Sequence, residues 1–515
     1  MKMKRFEAIL FTAALITHLL PVLLITPFVT LDGAAHLYNA GVLKDLLLDS
    51  TSLFHRMHEV NAAPEPNWTG HVFMAVSLIL LPALVTEKLI LVTILTGMAL
   101  GFRRLVKILD KERIPWLSWL VFPFLYNFTL LLGFFNFSLA MVILLHGLAL
   151  WMEYRKDRAG VKVYAWMVFI LLLIYFSHLL VFLLAIGATT LISFFMQEKS
   201  IRWPQRIREA LIPLCGSIPG ILLAIAYLMK GGSEELNAGI SWLPAEKLIA
   251  DLLAARMFII YDFSAEEGIT VFFSIFLLVV AVSTLLHRRF HKHHFPVFLL
   301  FASALMLYFI VPDNLASGGI VSVRLLMWLF ICFCLWLVTL NPPAVSRIPI
   351  ALISFSFSIC LIVLHWKTQR ALSDVARLYT NAARQIQDRS VVLPLNYSSN
   401  WLYSNVHGYM GLNREVLLLD NYEADYGYFP VIWKQGLRPE PILGNFASSK
   451  NPCIQIDRFE KTVGFPVDLV SALQFPAGST DSCTLSAIEQ LNQLYRPQPD
   501  GDLRIFRRNS LLPVR

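Results

Sequence analysis

Val163-Tyr-Ala-Trp-Met-Val-Phe-Ile-Leu-Leu-Leu-Ile-Tyr-Phe-Ser-His-Leu-Leu-Val-Phe-Leu-Leu-Ala-Ile-Gly-Ala-Thr-Thr-Leu-Ile-Ser-Phe-Phe-Met196 carries no charged side chain. A helix crosses the hydrocarbon core of a bilayer in about 20 residues, so this stretch is too long for one crossing. It reads as a helical hairpin that turns near His178. The whole chain has the same character: of its 515 residues 57% are hydrophobic and 15% charged, with a mean hydropathy of +0.61. Soluble domains carry about 25% charged residues, so most of this chain needs a solvent other than water. The net charge of +8 is gathered in short basic clusters between apolar runs, the pattern of cytoplasmic loops rather than of a nucleic-acid binder.

Those clusters give the topology. Arg103 to Arg113, Arg155 to Lys162, Lys199 to Arg208, His287 to His294 and Arg347 mark the cytoplasmic side. The opening Met1-Lys-Met-Lys-Arg5 precedes an apolar run to Phe28 that is too long for most signal peptides, so it reads as a retained first helix with its N-terminus in the cytoplasm. His71 to Pro82 is apolar over only about a dozen residues, the length of a re-entrant or interfacial piece. Leaving it uncounted gives about eleven crossings and an external C-terminus. The expected fold is therefore mainly α: a polytopic transmembrane helical bundle over residues 1–366, with an external loop at 31–70 bearing surface helices. A soluble extracytoplasmic α/β domain follows at 367–515. Within it Val391–Leu395 and Val416–Asp420 read as strands, and Ser373–Ile386 and Leu485–Leu494 as helices. Cys453 and Cys483 lie in this tail and can pair in an oxidising compartment, although spacing alone does not fix the pairing.

With sides assigned, the polar residues at membrane depth gather on the external face. Thr30-Leu-Asp-Gly-Ala-Ala-His-Leu-Tyr-Asn39 follows the first helix, and Asp32 and His36 share one face if a helix continues through them. An acid at the centre of a membrane costs about 2.5–3.5 kcal/mol, so Asp32 is expected to face a wet cavity. Its Asp-Gly context equally permits a helix N-cap. The other external turns carry Asn136, His178, Arg256, Asp313 and Arg324. His178 is read either as a site residue or as a packing residue bonded to a neighbouring helix. Arg324 either pairs with a phosphate or snorkels to the headgroups. No Walker loop, HExxH, Gly-x-Ser-x-Gly or paired CxxC motif is present, so soluble nucleotide chemistry has no support.

A first helix ending in an external acid, a long external loop, many spans and a soluble tail resemble the GT-C glycosyltransferases. That group includes protein O-mannosyltransferases and aminoarabinose transferases. Leu31-Asp-Gly-Ala-Ala-His-Leu-Tyr38 is the main anchor. Gly133-Phe-Phe-Asn-Phe137, Pro312-Asp-Asn-Leu-Ala-Ser-Gly-Gly319 with Arg324, and Asp420-Asn-Tyr-Glu-Ala424 are similar to stretches of bacterial membrane proteins of this type. The resemblance implies that Asp32 activates an acceptor and that the donor is a sugar on a polyprenyl phosphate. The candidate substrate contacts, taken from the polar residues of the external face, are His36, Tyr38, Asn136, His178, Arg256, Asp313 and Arg324. A second acid is usual in the next external turn, where this chain has Asn136, so a metal site that uses two acids is not expected; no cofactor is assigned, and a divalent metal stays open without support. The implied partners are the lipid-linked sugar donor, membrane lipids and a glycan, lipid or protein acceptor, with no nucleic acid. The implied location is the plasma (inner) membrane. A transporter or lipid flippase, or a non-catalytic membrane scaffold, are the rival readings.

Overall fold

A computed structural model describes residues 2–110, 113–154, 161–196, 202–230, 239–287, 293–314, 318–446, 452–476, 478, 481–498 and 501–509. Much of the basic clusters expected at 155–162, 199–208 and 287–294 lies outside the described residues. In chain order the N-terminal helices are α1 (Lys2–Leu24), α2 (Gly33–Leu48), α3 (Thr69–Leu80), α4 (Ala83–Leu109), α5 (Phe128–Leu131) and α6 (Phe135–Tyr154). Next come α7 (Val161–Ser177), α8 (Leu179–Phe195), α9 (Trp203–Lys230), α10 (Ala245–Leu253), α11 (Phe263–Leu286), α12 (His294–Ile310), α13 (Val321–Leu340) and α14 (Ala344–Ala383). The tail adds α15 (Tyr422–Asp425), α16 (Pro439–Leu443), α17 (Ile456–Val463) and α18 (Ser482–Leu494). Its strands, with one from the N-terminal region, are β1 (His58–Val60), β2 (Val391–Asn396), β3 (Leu417–Leu418), β4 (Val431–Trp433), β5 (Leu469–Leu473), β6 (Tyr495–Pro497) and β7 (Leu503–Arg508).

The chain forms two compact units. The first comprises Met1–Leu24, Pro64–Thr69 and Leu91–Lys367; the second comprises Ile25–Ala63, Gly70–Ile90 and Thr368–Arg515. Much of the stretch between the first and fourth helices thus folds in the same unit as the C-terminal tail.

The protein is mainly helical and has the character of a multi-pass membrane protein. Among the described residues seven helices are long and apolar enough to cross a membrane: α1, α4, α6, α9, α11, α13 and α14. Large apolar side chains such as Leu222, Met229, Phe272 and Leu286 are exposed along α9 and α11, the surface a bilayer would cover. Shorter apolar helical segments lie at Thr69–Leu80, Trp116–Leu131, Lys162–Ser177, Leu179–Phe195 and His294–Ile310. About eleven crossings would require every one of these except Thr69–Leu80 to span as well. With twelve residues, α3 rises only about 18 Å, short of a bilayer core.

In the first unit the chain turns back at His178, as the apolar length of 163–196 requires. His178 is extended between α7 and α8. Both helices pack on α6: a Cβ on Gly147 would lie 2.8 Å from Ile170, and Trp151 Nε1 donates to Ser193 Oγ at 2.8 Å. The segment from Trp116 begins differently from a simple span. Pro115 and Pro123 remove backbone donors, residues 116–124 wind as a 3-10 helix, and Asn127 caps α5 by accepting from Leu130 N. Nothing breaks α14, which has no glycine or proline after Pro349. It runs 40 residues, about 60 Å, so the last apolar segment and the expected helix from Ser373 are one continuous helix as far as Ala383.

Two basic residues expected in solvated cytoplasmic turns are buried instead. Arg103 places its guanidinium on the Glu7 carboxylate, with nitrogen–oxygen distances of 2.7 and 2.6 Å, and also donates to Ser118 Oγ at 2.8 Å. Trp119 Nε1 adds a 3.0 Å bond to Glu7. Arg347 pairs with Asp110 and donates to Pro342 O and Asn341 Oδ1. A planar guanidinium suits such sites because it can satisfy several acceptors at once.

The second unit holds a five-stranded mixed sheet in the order β3-β2-β5-β7-β6, parallel from β3 to β5 and antiparallel beyond. Pro394 inside β2 is tolerated for a local reason. Leu419 N donates to Val392 O, so the polar groups of Val392, and of Pro394 two residues on, face the β3 side. There β3 has already ended, and the missing N–H costs no ladder bond. β1 and β4 pair as a separate antiparallel ribbon. Within the loop expected at 31–70, the region from Leu43 to His58 is the end of α2 followed by a 3-10 turn at Leu53–Arg56 and the start of β1. Cys453 and Cys483 form a disulfide.

Glu7→Leu should leave the buried Arg103 without its carboxylate and destabilise the protein by about 3–5 kcal/mol. The thermal midpoint of the detergent-solubilised protein should fall. Replacing Arg103 by Leu as well should recover most of the loss, since two apolar side chains leave no buried charge.

Candidate functional site

Asp32 occupies the N-cap position of α2, but its side chain caps no backbone N–H of that helix. The carboxylate accepts instead from Asn405 Nδ2 at 2.8 Å and from the Tyr422 hydroxyl. The residue as a whole keeps some exposure, but its carboxyl group is buried. Burial pushes its carboxyl up to about 6; His36 opposes this, Glu423 adds to it, and the bonds from Tyr422 and Asn405 oppose it.

One turn along α2, His36 sets Nδ1 2.7 Å from Glu423 Oε1. The other oxygen of the same carboxylate, Oε2, lies 2.7 Å from Nε2 of His71 on α3. Glu423 and His71 have no exposed side-chain surface, and His36 has very little. Burial works against the charged form of Glu423, but the two imidazoles outweigh it and hold the carboxyl at about 2. Phe429 closes the apolar side of this cluster, with ring centroids 5.4 Å from His71 and 6.0 Å from His36, and the two imidazoles meet edge to face at 5.0 Å.

The surrounding chain explains why these groups converge. The 3-10 turn Val406–Gly411 lies directly on the first turns of α2. A Cβ on Gly408 would sit 2.7 Å from Ala34 O, and one on Gly411 would sit 2.5 Å from the Tyr38 ring, so glycine at both positions permits the approach that delivers Asn405 to Asp32. Glu87, near the start of α4, binds the Tyr409 hydroxyl with one oxygen and accepts from Phe28 N at 3.1 Å with the other. That anchors the segment leading to Asp32. Asn39 and Asn421 exchange reciprocal amide bonds of 2.8 Å, fixing the residue two before Glu423 against α2. The Tyr38 hydroxyl donates to Val416 O at 3.0 Å and accepts from Leu418 N at 2.9 Å, which pins β3 to the same helix.

Of the residues expected at the site, Asp32, His36 and Tyr38 belong to this second unit. Asn136, His178, Arg256, Asp313 and Arg324 belong to the first. Within the first unit, His178 meets the Phe137 ring edge-on at 5.3 Å, and the Arg324 guanidinium lies 4.5 Å from the Phe134 ring centroid and 6.0 Å from that of Phe137. Asn136 donates to Asn67 O at 2.9 Å. Asp313 accepts from Ser322 N in the first turn of α13, and Arg256 binds Ile259 O beside the Phe128 ring. His71, Asn405, Tyr422 and Glu423 were not among the expected site residues. In sequence His71 is only the first residue of the short apolar piece 71–82, and 352 positions separate it from Glu423.

Chemically the cluster offers one carboxyl group able to take up a proton near neutral pH, one locked as an anion, and two imidazoles. No protein-family model matches this chain, and no curated protein matches it.

Tyr38→Phe should leave Leu418 N and Val416 O without their buried partner and cost about 1–3 kcal/mol. Thermal unfolding in detergent should report the loss. An unchanged midpoint would mean that the hydroxyl does not anchor β3.

Proposed function

We propose that the protein is a membrane glycosyltransferase that moves a sugar from a polyprenyl-phosphate donor to an acceptor on the extracytoplasmic face. Asp32 is the carboxylate that takes the acceptor's proton. The observation that carries this reading is the Asp32 side chain itself: it stands at a helix start without capping it, and Asn405 and Tyr422 hold its buried carboxylate in place. A general base works best when its pKa lies near the working pH, and the raised value of Asp32 meets that requirement.

In the reaction the acceptor oxygen forms a bond to the anomeric carbon. The bond from that carbon to the phosphate oxygen breaks, the phosphate leaves with the electron pair, and the acceptor's proton passes to Asp32. A phosphate leaving group needs no proton donor, so a single carboxylate is sufficient for the proton transfer. The Cys453–Cys483 disulfide suits an oxidising compartment and supports a tail outside the cytoplasm. The leaving phosphate also needs a cation, and Arg324 or Arg256 is proposed to supply it.

Asp32→Asn keeps the size of the side chain and removes the base. It should insert and fold as wild type while transfer falls by about 10²–10⁴-fold. Mass spectrometry of lipids co-purifying with both forms, and of the glycans made by cells expressing each, reads the outcome. A polyprenyl-phosphate sugar bound to both forms, with the glycan product made only by wild type, supports the assignment. Full product formation by Asp32→Asn overturns it, and a bound solute without lipid phosphate favours a transporter.

A further inference from the structure

We propose that His36, His71 and Glu423 form a binding site for a divalent first-row transition metal, with zinc the fitting ion. The donor atoms, one from each residue, all lie within 4.8 Å of one another, and the three residues are buried. They come from α2, α3 and α15, three elements distant in sequence that meet in the second unit.

The donor set has the right chemistry. Two imidazole nitrogens and one carboxylate oxygen are the ligands of zinc sites that keep a position open for a further ligand, and they also suit other divalent metals of the first row. Charge balance points the same way. Glu423 and Asp32 are two acids in one cluster, and neither has a lysine or arginine partner among the described residues. A buried carboxylate needs a cation, which here is either a protonated imidazole or a metal ion. The supports expected around a metal site are in place as well. The Asn39–Asn421 amide pair fixes the approach to Glu423, and Phe429 screens both imidazoles from water.

The alternative is a carboxylate bridged by two imidazoles through protons alone, and the two states differ in metal content. The full chain, purified in detergent without a polyhistidine tag, is loaded with zinc chloride, desalted and assayed by inductively coupled plasma mass spectrometry. Thermal unfolding is followed with and without a chelator. About one zinc per chain is expected, with a higher midpoint for the loaded protein than for the chelated one. His71→Ala and Glu423→Gln should each lose the metal. If either variant fails to fold, the zinc content and chelator-dependent midpoint of wild type still decide. Wild type without stoichiometric zinc and without a midpoint shift overturns the site in favour of the proton-bridged cluster. Undiminished zinc in folded His71→Ala and Glu423→Gln places the metal elsewhere and also overturns it. The inference does not rest on glycosyl transfer, and metal content can be right or wrong whatever Asp32→Asn does to product formation.

Discussion

Glu423 is gripped through both of its oxygens by two histidines from different helices, and the second unit is organised around that grip. His36 and His71 lie in the N-terminal region and Glu423 lies in the tail, so three segments of the chain are fixed by one carboxylate. Close contacts between a carboxylate and imidazole nitrogens are favourable, but the groups must first be taken out of water. The surrounding structure therefore has to hold the geometry closely, since a carboxylate that lost either imidazole would be a buried charge with half its partners.

The means of holding it are mostly backbone and amide contacts. Gly408 and Gly411 let a 3-10 turn lie flat on α2, Glu87 fixes both Tyr409 on that turn and Phe28 before the helix, and Asn39 and Asn421 lock α2 to the residues that precede Glu423. Tyr38 spends its hydroxyl on the backbone around β3. These groups support the cluster from several directions, which is what a site needs if its reacting groups are to keep their positions.

The sequence makes some of this legible and hides the rest for identifiable reasons. The apolar lengths are plain, and the reversal at His178 follows from a stretch too long for one crossing. Asp32 stands out because an acid beside a long apolar run is costly wherever it is not used. The tail's α/β character and the strand at Val391 are visible in β-branched and apolar runs, but β3 shrinks to two residues where the run at 416–420 promised more. The continuity of α14 was hidden by a change in composition near Lys367, which alters the surroundings of a helix without breaking it. Arg103 and Arg347 look like loop cations because their partners, Glu7 and Asp110, lie far away or on the other side of an apolar run. Glu423 is the clearest loss. Its meaning depends wholly on two histidines more than 350 residues earlier, and no local pattern announces a contact of that separation.

Asp32 and Glu423 are two carboxyl groups in one cluster, yet they are driven in opposite directions. Both lose solvation, which favours the neutral acid. Glu423 has two imidazoles at 2.7 Å to overcome that penalty and stays ionised, whereas Asp32 has an amide, a phenol and a more distant histidine, and the penalty wins. Neighbouring acids split in this way take different work: one can exchange a proton, and the other supplies fixed charge. Their roles follow from their partners rather than from residue type. A carboxylate that is already ionised, buried and shared by two imidazoles is a poor base but a good ligand. The adjacent acid, raised toward neutral pH by burial, is the one that the proposed transfer would use as its base.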